Sequence, residues 1–104
     1  MKTYLVRWQA NASEWPLDPK EIQAVWEAAT SGGDAMIASG AFKEIRWLSG
    51  TSGYAIVEGD SKADALAVVT PFFPYFSQTV EEAVPWEDGR DAVLSAARQM
   101  AGGA

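Results

Sequence analysis

The chain has 104 residues, enough for one domain with one real core, and 48% of them are apolar, which excludes a disordered polymer. A net charge of −6, with only 8 scattered basic residues, argues against a nucleic-acid partner. Cysteine and histidine are both absent. That removes disulfides, thiol nucleophiles, His-dependent triads and His- or Cys-ligated zinc and haem, and leaves Asp, Glu, Lys, Tyr or water to move protons.

Five Trp, three Tyr and four Phe are a heavy aromatic load for this length, and they need a core, a pocket or an interface. No apolar run approaches the ~20 residues of a membrane span. The opening Met1–Arg7 carries charge at both ends and no apolar signal core, so a cytoplasmic protein is expected.

Alternation predicts a first strand over 3–9, with Tyr4, Val6 and Trp8 on one face and Thr3, Leu5, Arg7 and Gln9 on the other. If buried, Arg7 needs an anionic partner: an ion pair with an acidic neighbour is favoured over a ligand role. Residues 11–17 read as a loop around Trp15. Asp18, Pro19 and Glu21 then open a helix with a cap, a first-turn proline and capping-box spacing. Ile22, Val25, Trp26, Ala29, Met36 and Ile37 form its apolar stripe. Gly32-Gly33 is expected to weaken or kink this helix at about 1 kcal/mol per glycine, or to let it pack closely on the sheet, and Gly40 to end it. With no Gly-rich continuation and no following lysine, the pair is not a phosphate loop.

A second strand is expected over 44–48, with Ile45 and Trp47 facing one way, followed by a turn of small residues over 49–53. The strand over 54–58 is the organising element: Tyr54, Ile56 and Glu58 share one face, and Ala55 and Val57 the other. Ser61 and Asp64 have capping-box spacing ahead of a helix with Ala63, Leu66, Ala67 and Thr70 as its stripe, stopped by Pro71. Pro71 to Phe76 is an aromatic corner. A fourth strand is expected over 79–86, with Pro85 marking an edge, and a final helix starting at Asp88 with Val93, Leu94, Ala97 and Met100 facing inward.

The order β-α-β-β-α-β implies an α+β, ferredoxin-like fold, with a four-stranded antiparallel sheet and an added C-terminal helix. Both crossover helices would cover one sheet face. The bare face, still apolar, is expected to meet that of a second copy in a two-fold homodimer. The strand "GYAIVEGDS", the helix it enters and the run "PFFPYF…TVEEAVPW" resemble small members of the dimeric α+β barrel superfamily. Among these are uncharacterised proteins related to muconolactone isomerase-like and antibiotic-biosynthesis-monooxygenase-like proteins. The resemblance implies an apolar pocket between sheet and helices and chemistry without a cofactor. It carries over no catalytic set.

The expected walls of such a pocket are Trp8, Trp26, Trp47, Tyr54, Phe72, Phe73 and Phe76, which would otherwise simply fill the core and the dimer seam. Glu58, Tyr54 and Arg7 are the catalytic candidates: Glu58 as a base with a raised pKa, with Tyr54 donating a hydrogen bond. The plainer alternative, and the favoured one, is a salt bridge from Glu58 to Arg7 or Arg46. Glu81 and Glu82 are adjacent on a strand, point to opposite faces and cannot share a substrate. No carboxylates have hard-metal spacing, so neither metal nor cofactor is expected. Two functions follow: a homodimer binding an apolar or aromatic small molecule, with cofactor-free isomerase, cyclase or monooxygenase activity as its catalytic form, or a non-catalytic structural or regulatory homodimer.

Overall fold

A computed structural model describes residues 1–102. Four strands, β1 (Lys2–Ala10), β2 (Glu44–Trp47), β3 (Ser52–Gly59) and β4 (Phe76–Ala83), form one antiparallel sheet in the order β2-β3-β1-β4. Helices α1 (Pro19–Ser39) and α2 (Lys62–Val69) connect β1 to β2 and β3 to β4, and α3 (Trp86–Gly102) follows β4. Two 3-10 turns (Ala12–Glu14 and Thr70–Phe72) complete the chain. This is an α+β architecture with an open antiparallel sheet, compatible with a ferredoxin-like fold. The 3-10 turns and α3 lie outside the bare β-α-β-β-α-β pattern.

The two helix starts follow from their caps. The Asp18 carboxylate accepts from the backbone N–H of Lys20 and Glu21, ahead of Pro19. The Ser61 hydroxyl accepts from Asp64 N–H while the Asp64 carboxylate accepts from Ser61 N–H, a closed capping box. Gly40 ends α1 in the left-handed region at φ 81°, where a side chain is disfavoured.

Register sets the two sheet faces. Tyr4 pairs with Val57, Val6 with both Ala55 and Val80, and Trp8 with Gly53 and Gln78, so these residues share the helix-side face. Tyr4, Val6, Ala55, Val57 and Val80 meet Ala65 and Val69 of α2 and Phe42 of the α1–β2 connection in the core. Gly53 is needed for this packing: a Cβ there would overlap the Arg46 carbonyl oxygen and the Trp8 indole, which lies across β3.

Four expectations change. The α2 stripe is Ala65, Val69 and partly Val68, because those positions face β3 and β4; Ala63, Leu66 and Ala67 are exposed. The fourth strand runs from Phe76 to Ala83 and stops short of Pro85, whose missing N–H suits the start of a helix better than a ladder. It is an edge strand. α1 runs unbroken through Gly32-Gly33, with the Cα of Gly32 close to the Phe72 ring, where an added Cβ would sit 3.4 Å from a ring carbon. Finally, α3 does not fold inward. It starts at Trp86, buries no residue, and leaves Val93 and Met100 68% and 79% exposed. The sheet's helix-side face is already occupied, and α3 departs from the edge strand.

Candidate functional site

α1 contributes no fully buried residue, because it stands off the sheet rather than packing onto it. The space beneath it is a groove with a cavity volume of about 220 Å³. Its floor is sheet: Val6 and Trp8 from β1, Ile45 and Trp47 from β2, Ala55 from β3, and Phe76 and Gln78 from β4. Its roof is the α1 face repeating every three or four residues, Trp26, Ala29, Thr30, Gly33, Asp34 and Ile37. Phe42, Val69 and Phe72 close the side.

One end of the groove is an aromatic cluster built from contacts distant in sequence. Trp8 meets Trp47 edge to face, with ring centroids 5.0 Å apart, and Phe76 at 5.7 Å. Trp26 meets Trp47 at 5.8 Å and Phe76 at 5.7 Å. Trp15 reaches in from the β1–α1 loop, 4.7 Å from Trp26 and 5.6 Å from Phe76. Its indole N–H donates to the Tyr75 carbonyl oxygen at 2.7 Å, while Asn11 N–H donates to the same oxygen at 2.8 Å. The loop and the aromatic corner thus hold each other. The indole N–H of Trp8 is buried and has no hydrogen-bond partner.

The polar lining is small. The Thr30 hydroxyl donates to the Trp26 carbonyl oxygen at 2.7 Å, and the Gln78 amide donates to the Val69 carbonyl oxygen at 3.3 Å. Asp34 is exposed at the mouth, and no Lys or Arg lines the groove.

The sequence candidates divide between the two faces of the sheet. Trp8, Trp26, Trp47, Phe72 and Phe76 line the groove; Phe73 lies outside it, 69% exposed. Tyr54, Glu58 and Arg7 are on the open face. The register places Arg7 beside Tyr54, with Glu58 beside Thr3. Arg7 is exposed and forms an ion pair with Glu81 at 3.6 Å. The Arg46 guanidinium donates to the Glu44 carboxylate, and the Tyr54 hydroxyl donates to the same carboxylate oxygen at 3.3 Å. The hydrogen bond from Arg46 holds Glu44 below its ordinary pKa, outweighing desolvation that pushes the other way, with a lesser contribution from the Tyr54 hydroxyl, and Glu44 in turn raises Arg46. Glu58 pairs with neither arginine, because Glu81 and Glu44 lie nearer to them. Among the described residues it has no ion pair.

Asp34, Thr30 and Gln78 are lining residues that pattern reasoning passed over. For the first two the signal was present: both lie on the Trp26 helical face, at four and eight residues from it. Gln78 shares a strand face with Phe76 and Val80, a weaker cue. Among the described residues there is no group of three or more Asp and Glu placed to hold a metal, and no helix long and apolar enough to cross a membrane. No protein-family model matches the chain, and no curated protein matches it.

Proposed function

We propose that this protein binds an apolar or aromatic small molecule in the groove between α1 and the sheet. The groove itself carries the reading: about 220 Å³ walled by three tryptophans and three phenylalanines in a domain this small. A well-packed interior leaves few voids larger than a water molecule, and an apolar cavity of about 150 Å³ already accepts benzene. The volume suits one or two rings. A cofactor-free isomerase, cyclase or monooxygenase reaction in the groove would have Asp34 as its ionisable group, since Tyr54, Glu58 and Arg7 lie on the other side of the sheet.

The same reading includes a second copy on the open sheet face, as in a dimeric α+β barrel. Leu5, Tyr54 and Ile56 are half-buried at the centre of that face. Across the strands, Glu44, Ile56, Leu5 and Glu81 form one row, and Arg46, Tyr54, Arg7 and Thr79 the next. A two-fold axis lying across the strands between these rows would set the acidic row of each copy on the basic row of the other, which favours self-association over an unrelated partner.

Titration of the purified protein with one- and two-ring aromatic compounds, followed by tryptophan emission, tests the binding role. Light scattering on the same sample tests the dimer. Saturable quenching that is lost in Trp26→Ala is expected, with a mass of two chains. A dimer whose emission ignores every compound would favour the second reading, a structural or regulatory homodimer. The observation on that side is α3, an amphipathic helix that buries none of its described residues.

A further inference from the structure

The proposed groove has a chemical polarity as well as a shape. Its one ionisable lining residue is Asp34, and among the described residues Asp34 has no ion pair. Thr30 has its hydroxyl proton committed to the Trp26 carbonyl oxygen, so toward the groove it offers lone pairs. Gln78 has one amide N–H engaged with the Val69 carbonyl oxygen, which leaves its oxygen as an acceptor and its second N–H as a donor. The unpartnered donor nearby, the Trp8 indole N–H, has no accessible surface and is not presented to a ligand. The groove therefore offers a carboxylate, neutral acceptors, one amide N–H and aromatic π-faces, and no cation.

A carboxylate ligand would bring its charge toward Asp34 and find no basic residue to receive it. A neutral aromatic would fill the rings and leave Asp34 unused. A protonated amine uses both: the ring lies among the tryptophans, and the ammonium meets a carboxylate at the mouth. We infer that the groove takes an aromatic amine, one or two rings in size, with its charged nitrogen toward Asp34. This inference rests on the proposed binding role and narrows it to a ligand class. The overall charge of −6 adds a favourable long-range field for such a cation.

A matched set separates the two levels of the argument: 2-phenylethylamine, 2-phenylethanol and phenylacetate share a ring and differ in charge. Each is titrated into the full chain while tryptophan emission is followed, at low and at high salt. The amine is expected to bind about threefold to fivefold more tightly than the alcohol, from the exposed ion pair. The acetate is expected to bind least. Asp34→Asn should bring the amine close to the alcohol, with an unaltered melting temperature as the check on folding. High salt should weaken the amine alone. If the alcohol or the acetate binds as tightly as the amine, the inference falls and the binding role stands. If none of the three saturates, both fall.

Discussion

At the scale of single residues, the chain spends its charges in local pairs on the open sheet face. Arg46, Tyr54 and Glu44 form a small network at the β2 edge, and Arg7 with Glu81 forms its counterpart across β1 and β4. Because hydrogen bonds from Arg46 and Tyr54 favour the charged form, the folded Glu44 pKa lies below its unfolded value. The linked stability is therefore present above the unfolded pKa and lost as pH falls through the folded one. A carboxyl-carbon NMR titration should find Glu44 titrating below the ordinary glutamate value and rising in Arg46→Ala. An unchanged Glu44 midpoint in that variant would show that the pair does not persist in solution. Glu58 lacked such a partner because register, not proximity in sequence, decides which charges meet.

At the scale of elements, α1 combines strong ends with a weak middle. Asp18 and Pro19 start it firmly and Gly40 stops it, yet Gly32 and Gly33 sit a little past its midpoint. The two glycines differ in surroundings. A methyl at Gly33 meets nothing within 4 Å, whereas one at Gly32 sits 3.4 Å from the Phe72 ring. Gly33→Ala is expected to stabilise the fold by about 0.5–1 kcal/mol through helix propensity alone. Gly32→Ala should gain less, since the ring must give way slightly. Urea unfolding of both variants checks this, and equal gains would mean that the Phe72 contact is loose. Gly33 also lines the groove, so a methyl there narrows it beside Asp34.

At the scale of the whole molecule, the dimensions are those of a body with an arm. The principal extents are 64 × 28 × 21 Å and the radius of gyration is 18.0 Å, against about 13 Å for a compact domain of 100 residues. The arm is α3, with Trp86, Val93 and Met100 spaced seven residues apart along an exposed apolar stripe. Since α3 buries no residue, a chain ending at Pro85 should keep the urea midpoint of the full chain, with a difference under about 0.5 kcal/mol. A clear loss of stability would mean that α3 is packed in solution, on its own body or on another copy. Light scattering on the truncated and full chains separates those two cases.

Much of this was legible in residue order, and the divide is physical. Alternation in 3–9 and 54–58 is a property of the backbone, so β1 and β3 and their faces could be read directly. The caps at Asp18 and Ser61 act within one helical turn and could be read the same way. The helix starts, the apolar strand faces and the aromatic supply for a groove (Trp8, Trp26, Trp47, Phe72 and Phe76) are therefore written into residue order. Packing settled which face each polar candidate shared with those rings. Tyr54 and Glu58 were separated from the tryptophans by one step of strand alternation, and Asp34 joined them through the separation between α1 and the sheet. The same holds for α3: its stripe was visible, but whether any surface remained to receive it depended on the space already taken by α1 and α2. Local periodicity specifies a face; only packing specifies what that face meets.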